Sequence, residues 1–152
     1  MNTIANAIIR IGARRPPDVV IGGADQPYLY RWFLIPRNPL FNVYLHQFLR
    51  SDDDRALHDH PWVNLSILLR GQYCEHTIRA GGIERRRVRR AGGMKLRGAR
   101  SAHRIELTHG PCWTLFLTGP RIRQWGFHCP QGWVHWRDFT SADGREIGRG
   151  CD

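Results

Sequence analysis

Hydrophobic and polar positions alternate along several short segments of this chain. Few hydrophobic residues recur at the spacing of a helix. In residues 112–118, Trp113, Leu115 and Leu117 alternate with Thr114 and Phe116, as in a β-strand whose two faces differ. Similar runs of strand length cover residues 28–36, 41–49, 63–69, 72–79, 84–90, 103–107, 125–128 and 132–136. Glycine- and proline-rich turns separate these runs, so the pattern predicts roughly eight to ten short strands in a sandwich or small barrel.

The two ends of the chain read differently from its middle. Ile4, Ile8 and Ile11 have helical spacing, which predicts one short helix within residues 1–15, stopped by the Arg-Arg-Pro-Pro that follows. After about Thr140 the sequence becomes polar and glycine-rich. We therefore predict an arm at 1–20, packed on the domain or on a neighbouring copy, a barrel at 21–140 and a flexible tail at 141–152.

The charge of the chain is strongly positive. Its 152 residues, enough for one domain, carry a formal net charge of +10, and Lys95 is the only lysine. Such a balance favours anionic partners, namely nucleic acid, acidic lipid, or a carboxylate or phosphate substrate, although a solvated basic surface is the plainer interpretation. The densest run, residues 84–90, is either a solvated strand or an anion-binding edge.

The spacing of the cysteines and the length of the apolar runs indicate the cellular location of the protein. Cys74, Cys112, Cys129 and Cys151 form no CxxC pair and no zinc-finger spacing. Cys74 and Cys112 fall in predicted strands, where buried and inert thiols are expected. No run has the length of a signal-peptide core or a membrane span. The sequence therefore predicts a cytoplasmic protein with reduced thiols and no membrane association.

The segment from Leu57 to Trp62 contains the strongest chemical signal. His58 and His60 are separated by one residue in a predicted strand, so both should project from one face with Asp59 on the other. Two neutral imidazoles on one face suit a first-row transition metal.

These residues resemble the motifs of cupins, small jelly-roll barrels with a metal at the mouth. In the first motif, His58-x-His60 is followed by Asn64 at the position of the metal-binding glutamate and then by Gly71. In the second, Gly92 and His103 have the expected spacing. The resemblance covers about residues 45–120. It implies an all-β cupin fold, a double-stranded β-helix or jelly-roll barrel, here with a short N-terminal helix or arm.

Because this sequence lacks the metal-binding glutamate, it resembles one group of cupins in particular, the three-histidine thiol dioxygenases, of which cysteine dioxygenase is the type. The resemblance implies Fe(II) held by His58, His60 and His103, with Zn, Ni or Mn as alternative divalent ions. The catalytic tyrosine of that family has no counterpart in the matching strand, so catalytic residues stay unassigned. Glu75 is either a fourth ligand or an acceptor that orients a ligating imidazole.

We therefore expect a metal-dependent cupin, and a non-haem iron oxygenase or dioxygenase acting on a small anionic substrate is the leading hypothesis. The predicted substrate-binding residues are Asn64, Arg100, Arg104 and Trp125. A metal-dependent isomerase or lyase, and a non-catalytic cupin binding a small ligand or sugar, are the alternatives. Nucleic-acid binding by the arginine-rich edge is less favoured, and pairing through edge strands would give a homodimer. The remaining histidines are predicted to be surface or core residues: His46, His76, His109, His128 and His135.

Overall fold

The computed structural model describes residues 3–23, 25–52, 56–78, 82–142 and 148–152. Two helices and twelve strands occur in these ranges. They are α1 (Thr3–Gly12), β1 (Val19–Ile21), β2 (Leu29–Phe33), β3 (Asn42–Phe48), β4 (Leu57–His58), β5 (Asn64–Arg70), β6 (Gln72–Ile78), β7 (Glu84–Arg90), β8 (Met94–Arg97), β9 (His103–Leu107), β10 (Cys112–Thr118), β11 (Gly126–Cys129), β12 (Gly132–His135) and α2 (Trp136–Phe139).

The strands form two antiparallel sheets of six strands each. The first sheet has the order β1-β2-β3-β10-β5-β8, and the second has the order β12-β11-β4-β9-β6-β7. Consecutive strands repeatedly cross between the sheets, as they do in a jelly roll. The predicted all-β jelly-roll class with a short N-terminal helix is confirmed.

The alternation in the sequence determines which side chains fill the space between the sheets. In β10, Cys112, Thr114, Phe116 and Thr118 are buried, whereas the residues between them are only partly buried. β3 lies beside β10, with Phe116 opposite Tyr44 in the register. A strand buried on one face in this way directs every second side chain toward the interior, where the functional site lies.

The N-terminal helix covers part of the outer face of the first sheet. Ile9 of α1 packs in one apolar cluster with Trp32 of β2 and Leu45 of β3. Strand β1 lies at the end of the segment predicted as an arm, and its Val19 pairs with Arg31 of β2. The segment therefore extends the sheet as well as packing on it.

The structure contains more strands than the sequence predicts. β1 has only three residues, and β8 is a four-residue edge strand that pairs with β5. Such short segments carry too few positions for alternation to be recognised. β8 is still important, because it brings Arg97 to the interior.

The C-terminal segment corrects one prediction. Cys129 of β11 and Cys151 form a disulfide, so the expectation that all thiols are reduced is wrong for this pair. The backbone N–H groups of Gly148 and Gly150 both donate to the carbonyl of Phe139. These bonds attach residues 148–152 to the barrel, and the flexibility of 141–152 stays a prediction. The Ala80-Gly81 part of the predicted turn and residues 143–147 of the tail lie outside the described ranges.

The helices of the described residues are short. None of them is long and apolar enough to cross a membrane. The cytoplasmic location stays a prediction.

Candidate metal centre

Strands β4 and β9 position two of the three predicted ligands. His58 of β4 and His103 of β9 lie directly opposite each other in the antiparallel register. His60 lies just beyond β4, where its backbone N–H donates to the carbonyl of Ala99 at 3.1 Å. That bond fixes the chain after the short strand, so His60 is held on the same side as the other two rings.

The three imidazoles converge on one point. The ring centroids of His58 and His103 are 4.9 Å apart, and that of His60 is 5.2 Å from each of them. One ring nitrogen from each residue lies within 4.8 Å of the other two. The Nε2 atoms of His60 and His103 are 3.0 Å apart. At this distance the N–H of one ring can donate a hydrogen bond to the nitrogen of the other.

Burial keeps these rings neutral. Desolvation lowers the pKa of His58, and it lowers the pKa of His60 and of His103 well below the ordinary value of 6.5. The positive charge of Arg97 acts in the same direction on all three. Neutral imidazoles have a lone pair available at neutral pH, and a lone pair is what a metal ion requires.

Asp59 points to the opposite side of the segment, as the alternation predicts. Its buried carboxylate accepts hydrogen bonds from the backbone N–H of Gly126 at 2.9 Å and from Nε1 of Trp133 at 3.1 Å. It also forms an ion pair with Arg123 at 2.9 Å. Asp59 therefore fastens the segment between His58 and His60 to β11 and β12.

The three rings line a partly open space of about 90 Å³ between the sheets, which we call the inner cavity. Its wall is formed by Tyr28, Leu29, Arg31, His46, Phe48, His58, His60, Trp62, Ser66, Arg97, His103, Ile105, Thr114 and Phe116. This wall contains no Asp or Glu among the described residues.

Arg31 is a cavity residue that the sequence analysis missed. Its Nε donates to Nε2 of His46 at 2.8 Å, and its guanidinium lies 5.1 Å from the centre of the Tyr44 ring. Burial lowers the pKa of Arg31, and within the described ranges no carboxylate pairs with it. Its place in an alternating strand is the only sequence signal, and that signal does not distinguish an inward arginine from a surface one.

Glu75 does not lie with the three ring nitrogens. Its carboxylate is buried and paired with Arg97 and Arg89, the latter at 2.7 Å. Burial alone would raise the pKa of Glu75, but the charges and hydrogen bonds of the two arginines hold it below its ordinary value. Oε1 is 3.8 Å from Nδ1 of His103, too far for a hydrogen bond, so Glu75 neither joins the three nitrogens nor accepts from this imidazole.

The predicted substrate-binding residues lie in different places. Asn64 is buried without a hydrogen-bond partner among the described residues, and it is not part of the wall of the inner cavity. Arg104 lies on the outer face of the second sheet, 3.2 Å from Nδ1 of His76. Trp125 stacks on Trp136, and its ring is 6.5 Å from that of His58. The inner cavity is lined by none of the four predicted residues, Asn64, Arg100, Arg104 and Trp125, and Arg100 lines the second cavity described below.

A second group of donor atoms lies on that outer face. Cys74, His76 and Glu106 form it, but both ring nitrogens of His76 are already bonded to carboxylates, Glu84 at 2.5 Å and Glu106 at 2.7 Å. With Arg104 beside the ring, this group is a hydrogen-bonded network in which His76 is buried and the two carboxylates are partly exposed.

The fold of this chain is similar to that of several proteins of known structure. No family model matches the chain, and no curated protein matches it in sequence. The solved structure of Fe(II) HppE with the alternative substrate (S)-1-HPP superimposes with a TM-score of 0.53 at 14% identity over 68% of this chain and 58% of that chain. EutQ of Clostridium difficile gives a TM-score of 0.51 at 11% identity, over 70% of this chain and 81% of that chain. An oxalate oxidase gives a TM-score of 0.51 at 13% identity, over 68% of this chain and 58% of that chain.

These structures are cupins, and the described chain has the cupin fold. The chain spans under three fifths of HppE and of the oxalate oxidase. At such identities the likeness defines the fold, and the three converging histidines define a candidate metal centre within it.

Proposed function

We propose that this protein is a metal-dependent cupin that binds one divalent ion, Fe(II) in the first place, and oxidises a small anionic substrate. The proposal depends mainly on one observation, the convergence of His58, His60 and His103 on an inner cavity of about 90 Å³. Each ring comes from a position that the barrel fixes.

The donor set fits a metal of this kind. Three neutral imidazoles would hold the ion and leave coordination positions open, as catalytic sites require. A bound iron would supply the one-electron and dioxygen chemistry that protein side chains lack. The likeness to Fe(II) HppE and to an oxalate oxidase is consistent with such chemistry on this fold, although fold by itself does not determine function.

The residues around the centre would orient the substrate. Arg31 brings a partly buried guanidinium to the same cavity as the histidines, and no carboxylate of the described residues pairs with it. A guanidinium in this position favours a carboxylate or a similar anion, because it can donate two parallel hydrogen bonds. Phe116 and Trp62 would exclude water from the other side.

The experiment is a titration of metal-free protein with Fe(II) under anaerobic conditions, followed by calorimetry and elemental analysis. We expect one equivalent per chain and a loss of affinity of at least about 100-fold in His58→Ala with the circular dichroism unchanged. His109→Ala, at an exposed histidine outside the cavity, is the matched control.

The second part of the experiment tests oxidation. Nitric oxide, a surrogate for dioxygen, should change the EPR spectrum of the iron-loaded protein if coordination positions are open. Equal metal binding by wild type and His58→Ala would refute the metal proposal. Iron binding without any response to nitric oxide would instead favour a non-catalytic, ligand-binding cupin.

A further inference from the structure

A second cavity adjoins the inner cavity and shares His103 with it. It is an open space of about 590 Å³, which we call the basic cleft. Its wall is formed by Thr77, Ile78, Arg85, Lys95, Arg97, Arg100, Ser101, Ala102, His103 and His128. Of the described residues, only Arg97 and His103 line both spaces, so the two spaces adjoin at these side chains, which we call the partition.

The basic cleft carries one sign of charge. Arg85, Lys95, Arg97 and Arg100 are cationic, and the described part of its wall has no Asp or Glu. Arg85, Lys95 and Arg100 form no ion pair within the described ranges. A concave wall of unpaired cations concentrates anions, and several arginines can bind one anionic group by paired hydrogen bonds.

The side chain of Arg97 indicates that a ligand belongs there. It is only 2% exposed, and its Nε and Nη2 atoms both donate to Glu75. Its third nitrogen, Nη1, is buried and has no described partner within hydrogen-bond geometry, while the hydroxyl of Tyr73 interacts with the same guanidinium. Buried donors are almost always paired in folded proteins, so a bound group that accepts from Nη1 would complete the site.

The charged side chains around Arg97 have an excess of positive charge. Arg89 and Arg97 share the single carboxylate of Glu75, which neutralises one of the two guanidinium charges. The remaining positive charge is held beside the partition. Lys95 and Arg100 add to this positive charge. A ligand with more than one negative charge would neutralise more of it than a singly charged ligand.

We propose that the basic cleft binds the phosphate group of a small organic phosphate, whose other end reaches the three-histidine site past Arg97 and His103. This inference rests on the proposed function, since it names the class of substrate for that site. Phosphate is favoured over a simple carboxylate because its three oxygens and double charge match several cations converging from different strands. The inner cavity is the smaller space and would hold only the reacting end.

The test is calorimetric titration of the full chain with phenyl phosphate and with inorganic phosphate, compared with acetate at equal ionic strength. We expect phenyl phosphate to bind, acetate to bind much more weakly, and the double variant Lys95→Met/Arg100→Met to lose at least about tenfold in affinity. The control Arg10→Met/Arg14→Met removes the same charge from exposed residues that line neither cavity.

Several results would overturn the inference. These are no binding of either phosphate by the wild type, an equal loss in both double variants, or tighter binding of a single-stranded oligonucleotide that depends on Lys95 and Arg100. The last result would identify the cleft as a nucleic-acid surface. An unchanged Fe(II) titration in Lys95→Met/Arg100→Met separates failure of the cleft from failure of the metal centre.

Discussion

His58 and His103 occupy directly opposed positions on the adjacent antiparallel strands β4 and β9, with ring centroids 4.9 Å apart. Forty-five positions of chain separate them in the sequence. Opposed side chains on neighbouring strands point to the same face of a sheet, so the register itself brings the rings together. The candidate metal centre therefore depends on the pairing of a two-residue strand, and the residues that support this pairing are the ones to test.

Glu75 holds two arginines close to this centre. The substitution Glu75→Gln leaves the buried Arg97 and the partly exposed Arg89 without a carboxylate, and losing one partner of a buried ion pair costs about 3–5 kcal/mol. We expect a lower free energy of unfolding of that order in urea. Glu75→Leu/Arg97→Met removes charges of both signs and should be less destabilised than Glu75→Gln. Equal stability of Glu75→Gln and wild type would show that the carboxylate does not hold the arginines.

Asp59 supports the segment from the other side. Asp59→Asn removes the charge that holds Arg123 and weakens the bonds to Gly126 and Trp133, so we expect a loss of about 2 kcal/mol in the free energy of unfolding. Metal affinity should fall as well, because the ring positions of His58 and His60 depend on this segment. The exposed Asp138→Asn is a matched control, and a loss of similar size there would contradict the assignment.

Acid should destabilise the metal-free protein. His46 is buried, and desolvation, with the charge of Arg31 beside it, lowers its pKa well below 6.5. The unfolded chain then binds a proton that the folded protein excludes, so stability is complete above 6.5 and falls as the pH drops toward the folded pKa. We expect a lower midpoint in urea at about pH 5.5 than at about pH 7.5.

The variant His46→Gln separates this histidine from the ligands. It retains an acceptor for Nε of Arg31 but does not titrate, so its stability should fall less between the two pH values. The exposed variant His109→Gln should keep the full dependence of the wild type. If His46→Gln and wild type lose the same free energy, the buried imidazole is not responsible.

The disulfide gives a fourth prediction. Cys129 and Cys151 are 22 positions apart, and closing a loop of that length stabilises a folded chain by about 3 kcal/mol. Cys151→Ser should lower the free energy of unfolding by that order in non-reducing urea.

Thiol counting checks the same bond directly. Denatured, unreduced protein should show the free thiols of Cys74 and Cys112 only, and reduction should reveal Cys129 and Cys151. In the native protein Cys112 should resist alkylation, because it is buried and burial raises the pKa of its thiol to about 12. Four free thiols in the unreduced protein would contradict the disulfide.

The sequence alone predicted the strand-rich class, the short N-terminal helix and the common side of His58 and His60. All three follow from local periodicity, which determines the direction of side chains within one element. The pairing of Cys129 with Cys151 was beyond reach, because those residues are distant in sequence and their spacing matches no motif. β8 was also missed, since four residues show no usable alternation.

Only the tertiary structure decided which charged residues enter the interior. Arg31, Arg97 and Arg104 look alike in the sequence, yet the first two line the inner cavity while Arg104 lies outside with His76. Inward and outward positions differ by a single residue of register, and register is set by pairing between strands that are far apart in the chain. The sequence therefore determined the pattern of each strand, and the closing of the two sheets determined the contents of the cavity they enclose.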